Sequence, residues 1–144
     1  MTLRKVFHSA VHHLAHQYYS PEQINAWDPN TYDVQEWNKR ISILKPFVAE
    51  INSNILGYAD LQPSGYIDHF FVTSSHARQG IGNALMLHLH NKIAKRECIK
   101  HLSSDVSFSA ENFFTSHGFK SERLNLPLVR GVILKNTRMI KVLD

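Results

Sequence analysis

One cysteine, Cys98, in 144 residues excludes an internal disulfide framework. A chain without disulfides suits a reducing compartment, so a cytoplasmic protein is the expectation. No apolar run is long enough to cross a bilayer, which argues against a membrane protein. The start, "MTLRKVFHSAVHHLAHQYY", is interrupted by histidines and has neither a signal-peptide apolar core nor a cleavage site. There is no internal repeat and no low-complexity segment. Acidic residues are outnumbered, 12 against 16 Lys and Arg, and the resulting net charge of +4 mildly favours anionic ligands. The basic residues are scattered, so a nucleic-acid partner is not expected. What remains is a chain of 43% hydrophobic content, enough for one core in one domain spanning residues 1–144.

Leu3, Val6, Phe7, Ala10, Val11 and Leu14 recur at helical spacing and predict an amphipathic helix over residues 3 to 16. "YSPEQINAW" offers Ser20 as N-cap, Pro21 at the first helical position and Gln23 at the third, so a short second helix begins there. After the loop "DPNTYD", "DVQEWNKRISIL" reads as a third helix that stops before Pro46. The texture then turns to β: "FVAEI" and "ILGYADLQ" form a hairpin around "NSN", and "YIDHFFV" is a third strand. A long helix with Ile81, Leu85, Leu89 and Ile93 on one stripe follows. "HLSSDV" is a strand, "SAENFFTSH" a helix ended by Gly118, and "FKSERLNL" and "VRGVILKNTRMIKV" are the closing strands. The order α-α-α-β-β-β-α-β-α-β-β predicts an α/β fold, a mixed sheet with helices packed on its faces.

With only six glycines in the chain, the pair Gly80 and Gly82 in "HARQGIGNAL" asks for a reason. The P-loop ending Gly-Lys-Ser/Thr is absent, and the dinucleotide fingerprint fails because Leu85 stands where its third glycine belongs. Two readings remain open. In one, the unpartnered N–H groups and positive dipole end of the following helix form a pyrophosphate site, with no side chain in the way. In the other, the helix simply begins with flexible glycines.

"IDHFFVTSSHARQGIGNALM" followed by "DVSFSAENFFTSHGF" resembles the acetyl-CoA signature of the GNAT superfamily of N-acetyltransferases, and the chain is most similar to small bacterial members of the YafP type. Phe113, Phe114, Gly118 and Phe119 match the family's second cofactor-side element. The resemblance covers nearly the whole chain and implies a largely antiparallel GNAT sheet flanked by helices. It departs from the pattern in three places. Ala77 stands at the first motif position, with Arg78 one residue later. Phe114 replaces the tyrosine that protonates the leaving thiolate in many members. The usual first strand is missing, because helical patterning begins at Leu3; either it is absent, leaving an edge for a loop or a second copy in a homodimer, or the natural chain starts upstream.

The implied activity is transfer of acetyl from acetyl-CoA to a primary amine on a small molecule, by direct attack; the alternative is an acyl-CoA-binding module that has lost catalysis. The implied cofactor contacts are Phe70, Phe71, Val72, Arg78, Gln79, Gly80, Ile81, Gly82, Asn83 and Ala84, with Ser107 or Asn112 replacing a family asparagine. Pantetheine would pair with main chain near Phe70 and Val72, making the Val72 amide the oxyanion donor. Asp68 is the implied base, against a plain reading as a carboxylate paired with a neighbouring cation. Strand alternation puts it on the face of Tyr66, Phe70 and Val72, and His69 on the other; a bulge would re-aim His69. Tyr66 or Ser107 would stand in for the missing acid. Tyr18, Tyr19 and Trp27, with Tyr66, are expected on the acceptor side, where they suit a small apolar or aromatic amine if they are not simply core.

His12 and His16 lie one turn apart, but no Glu or Cys accompanies them and no metal site is expected. His88 reads as a partly buried histidine, Cys98 as a small partly buried residue, and Lys92, Lys95 and Arg96 as a solvated helix face.

Overall fold

The computed structural model describes residues 2–143. Three helices open it: α1 (Leu3–Ser9), α2 (Pro21–Trp27) and α3 (Val34–Leu44). Thr2 caps α1 through the Lys5 amide, and Ser20 and Gln23 form the reciprocal capping box expected of α2. Asp33 caps α3 by accepting from the Gln35 and Glu36 amides.

The first helix continues as a π-helical turn, Ala10–Leu14. That wider turn carries one more residue than an α-turn and shifts the buried face. Ala15 is consequently 1% exposed, and Leu14, which the spacing places inside, is 36% exposed.

β1 (Phe47–Ile51) and β2 (Asn54–Ala59) form the expected hairpin, whose turn residues Asn52 and Ser53 both have positive φ. The third strand is not continuous. Its first part, β3 (Tyr66–Ile67), runs parallel to β5 (His101–Ser107); its second, β4 (Phe70–Val72), runs antiparallel to β2. Between them lie Asp68 and His69. The last segment also divides: β7 (Leu128–Val129) and β8 (Val132–Ile133) make a small ribbon turning at Arg130 and Gly131, and β9 (Asn136–Val142) pairs with β5 and with β6 (Lys120–Asn125). The result is two main sheets, β1-β2-β4 and β3-β5-β9-β6, antiparallel except at β3–β5.

α4 (Ile81–His88), prolonged by a π-helical Leu89–Ala94, covers one side of this arrangement. Its stripe is realised: Ile81, Leu85, Leu89 and Ile93 are at most 8% exposed, and the first three pack with Leu56, Ile67, Leu102 and Met139. A fully buried Leu or Met here contributes on the order of 2 kcal/mol. α1 and α2 cover the other side, where Val6, Phe7, Val11 and Ile24 meet Tyr58 and Leu134. β2 lies between the two layers, so four consecutive residues, Leu56 to Ala59, are buried. Gly57 permits that depth: a Cβ on it would lie 3.1 Å from Ile81 Cγ2 and 3.0 Å from the Phe71 carbonyl oxygen.

The break at Asp68–His69 has a local cause. Asp60, fully buried just past the end of β2, accepts the Asp68 amide (2.9 Å) and the His69 amide (2.6 Å) on Oδ1, while its own amide donates to the His69 carbonyl (3.1 Å). One side chain takes the place of a strand partner for two consecutive residues. Burial pushes the Asp60 pKa up, outweighing the hydrogen bonds from the His69 amide and the Gln62 side chain. Asp60→Ala is expected to cost roughly 2–4 kcal/mol, because two enclosed amides lose their acceptor. Asp60→Asn, which keeps an acceptor oxygen, should lose less, and urea unfolding of the two variants measures the difference.

Candidate active site: two clefts at a split sheet

The His69 carbonyl and the Thr73 amide (2.8 Å to the Leu56 carbonyl) both bond toward β2. Antiparallel ladders alternate, so the main-chain groups of Phe70 and Val72 point the other way, into the gap that opens between β4 and the end of β5. Two clefts meet at this gap.

The first, about 720 Å³, runs from the gap to the mouth of α4. Gly80 is the N-cap of α4, with φ +87°, and no side chain caps the helix. The first intrahelical bond there is from the Ala84 amide to the Gly80 carbonyl, so the preceding amides have no partner within the helix. The two glycines serve different needs. Gly80 supplies a left-handed backbone and faces open space, whereas a Cβ on Gly82 would sit 3.1 Å from the Phe113 ring. Gly82 is thus a packing glycine as well as part of the cleft lining. Arg78, Asn83, Ser107, Asn112, Phe70, Phe71 and Val72 also line this cleft, and among the described residues no carboxylate does.

The second cleft, about 550 Å³, opens on the side of α1 and α3. Asp68, His69, Phe70 and Phe71 reach it from the strand, Phe7, Trp27 and Trp37 from the helices, and Asp33, Glu36 and Asp105 add carboxylates. Trp27, Phe70, Phe71, Ser107, Ala110 and Phe114 border both clefts. Asp68 is bonded to Arg40, the arrangement of the plain reading, although its carboxylate does face this cleft. His69 accepts or donates through Nδ1 to the Tyr58 hydroxyl (2.9 Å) and stacks on Phe7 at 5.8 Å. Burial lowers its pKa from 6.5 to about 4. The Asp105 carboxylate resists burial through hydrogen bonds from Arg138, Tyr66 and Asn125, which hold its pKa below the usual range.

Several sequence expectations need correction. Tyr66 reaches neither cleft, because its hydroxyl is donated to Asp105 at 3.0 Å. Tyr18 borders the first cleft and not the second, whereas Tyr19 does line the second, largely buried there with its hydroxyl bonded to the Lys135 carbonyl and the Phe108 amide. Gln79, Ile81 and Ala84 place no side chain in the first cleft: the Ile81 side chain turns into the core, so only its main chain stands at the helix mouth, and Gln79 and Ala84 are on the solvent side of the turn and helix. His88 is exposed against the edge of Phe47, and the enclosed histidine of that helix is His90. Cys98 is exposed, held at φ +56° in the turn after the helix. Phe114, 2% exposed among Phe70, Phe113 and Phe119, donates nothing.

The π-helical turn also re-pairs the histidines. His16 bonds back to the His13 carbonyl, while His12 stacks on His8 at 4.0 Å, both rings directed at Asp28. One ligand atom each from His8, His12 and Asp28 lies within 4.8 Å of the others. Arg4 occupies the same fully buried carboxylate, and a guanidinium there opposes a dication, so the cluster is a clasp joining α1 to the end of α2. Asp60, Trp37 and Arg40 were not singled out by sequence, and Phe7 only as part of a helix stripe. Asp60 carried a signal, a carboxylate closing the apolar run "ILGYA", which needs partners if buried; Trp37 and Arg40 sit at i, i+3 on α3 and so share a face.

A family model described as the acetyltransferase (GNAT) domain matches residues 15–136. The uncharacterized N-acetyltransferase YafP of Escherichia coli K12 is 31% identical over 134 residues, covering 93% of this chain and 83% of YafP. A GCN5-related N-acetyltransferase from Rhodopseudomonas palustris superposes with a TM-score of 0.89 at 26% identity, over 98% of this chain and 88% of that one. PaiA N-acetyltransferase from Thermoplasma acidophilum, in complex with coenzyme A, gives 0.74 at 19% identity, over 98% and 91%. The chain belongs to the GNAT acetyltransferase family.

His69 carries a pH prediction. Its folded pKa lies below the unfolded one, so the unfolded state takes up the proton first as pH falls. Stability is complete above about 6.5 and declines toward pH 4, by up to about 3 kcal/mol from this group. His90, lowered to about 4 by burial and Lys141, acts in the same direction. Melting temperatures across that range should fall with acid, and less steeply in His69→Gln.

Proposed function

We propose that this GNAT acetyltransferase transfers the acetyl group of acetyl-CoA to a small-molecule primary amine by direct attack, the two substrates meeting where the strand splits. One observation carries the reading: two clefts share a wall at Phe70 and Phe71, one without a carboxylate and headed by an uncapped helix, the other holding four carboxylates. The first fits an anion. The amides of Ile81, Gly82 and Asn83, which have no partner within the helix, would with Arg78 hold a pyrophosphate, and the open side of Gly80 lets it approach. The neighbours' binding of coenzyme A, as in the Thermoplasma acidophilum protein, supports the same assignment.

Bound there, acetyl-CoA supplies an activated thioester. The free main-chain groups of Phe70 and the Val72 carbonyl would pair with the pantetheine arm, leaving the Val72 N–H to face the thioester oxygen as negative charge develops, which is worth about 3 kcal/mol for one preorganised donor. A carbon–nitrogen bond forms and the carbon–sulfur bond breaks. Asp68, at the gap, takes the ammonium proton once the amine displaces Arg40; the amine, with a solution pKa near ~10, needs such an acceptor. His69, neutral because buried, is the second base in reach of this wall. Ser107, which borders both clefts and bonds the Ser109 hydroxyl at 2.9 Å, relays to the thiolate the proton that the attacking nitrogen loses as the amide forms, a task that Phe114 cannot perform.

The test is release of free coenzyme A from acetyl-CoA over a panel of amines. Amine-dependent release supports the enzyme; saturable acetyl-CoA binding with none supports the binding module instead. Asp68→Asn is expected to lower kcat at neutral pH by roughly 10²-fold or more, with partial recovery as pH rises. An unchanged pH profile would leave Asp68 only its bond to Arg40. Gly82→Val should weaken coenzyme A binding at least ~10-fold by driving Phe113 and the mouth of α4 apart, as calorimetry would record.

A further inference from the structure

The acceptor cleft can be read by asking which of its charges are free. Asp68 is bonded to Arg40, and Asp105 to Arg138 through Nε (2.6 Å) and Nη2 (3.1 Å). Asp33 is committed to capping α3. Arg4, which lies over the Tyr32 ring at 3.8 Å, is neutralised by Asp28, and Arg130 is held by the Ala26 carbonyl at 2.6 Å. Among the described residues this leaves Glu36 as the carboxylate of the cleft without a side-chain or capping duty, and it stands at the exposed rim on the first turn of α3. A polyamine or aminoglycoside carries several ammonium groups, each needing an unneutralised acceptor when it leaves water. The cleft does not have them.

Its interior is aromatic instead. Phe7 meets Trp37 at 5.3 Å and Phe71 at 5.0 Å, and Trp27 meets Phe71 at 6.2 Å, while Trp27, Trp37 and Phe71 keep part of their surface open in a cleft they line. Ring faces of this kind receive a flat apolar body. The volume, about 550 Å³, is that of a site for a small organic molecule. The same aromatic burial that keeps His69 uncharged disfavours an ammonium and so helps an incoming amine lose its proton.

Building on the acetyl-transfer reading, we propose that the acceptor is a monoamine on a flat apolar body, of the arylalkylamine type, its ring lying against Trp37, Phe7 and Trp27 and its nitrogen at Asp68.

The chain has two tryptophans, and both line this cleft, so intrinsic fluorescence reports acceptor binding without any turnover. Titration of the full chain with 2-phenylethylamine should give a saturable change, tighter than butylamine by about tenfold and than spermidine or kanamycin by more. Trp37→Leu should weaken 2-phenylethylamine by about tenfold and leave butylamine unchanged. Spermidine or kanamycin binding as tightly as 2-phenylethylamine overturns the proposal, as does a Trp37→Leu loss equal for both monoamines. So does the absence of any saturable change with 2-phenylethylamine. Thiol release on the same samples separates the two claims: binding of 2-phenylethylamine without amine-dependent release retains the ligand class and removes acetyl transfer, whereas release favouring spermidine does the reverse.

Discussion

Two consecutive main-chain amides that turn away from a sheet must find an acceptor, and inside a protein the choice of acceptor decides what the chain does next. Here the acceptor is the Asp60 carboxylate. Because it takes both the Asp68 and His69 amides, the strand changes partners between Ile67 and Phe70, leaving β5 and joining β2. The gap between the sheets, the free main-chain groups of Phe70 and Val72, and the meeting of two clefts at Phe70 and Phe71 all follow from that exchange. The cost is a carboxylate held away from water, whose raised pKa records the strain of keeping it charged.

The clefts on either side of the gap differ in charge for reasons that lie in their walls. The α4 side is made of helix mouth, small residues and aromatic rings, so its field comes from unpaired amides and from Arg78. The α1 and α3 side carries four carboxylates and four cationic side chains, and all but Glu36 and Lys135 are bonded to an ion-pair partner or to the backbone. The first wall acts through uncompensated dipoles, the second through ring faces and local ion pairs.

What was legible in the sequence was local. The stripe of Ile81, Leu85, Leu89 and Ile93, the capping box at Ser20 and Gln23 and the hairpin at Asn52 and Ser53 are set by neighbours within a turn or two, and all stand in the structure. The glycine-led helix mouth was legible for the same reason, though the packing of Gly82 on Phe113 was not, since thirty residues separate them. The split of "YIDHFFV" depends on Asp60, eight and nine residues upstream, and alternation alone gave no hint of it. π-helical turns do not show in a 3.6-residue pattern either, which is why Leu14 and His16 were placed a residue out of phase. The aromatic floor of the second cleft gathers Phe7, Trp27, Trp37 and Phe71 from four elements, a convergence that only tertiary structure reveals.

Trp27 and Phe71 border both clefts. If each cleft receives a ligand as proposed, one that presses on either ring from one side alters the surface met by the other, and the two occupancies carry an interaction free energy. Thermodynamic reciprocity then requires that whatever factor the first guest changes the second one's affinity by, the second changes the first's by the same factor. A partition of this kind makes the filled state of both chambers a cooperative species, distinct from the sum of two independent ones.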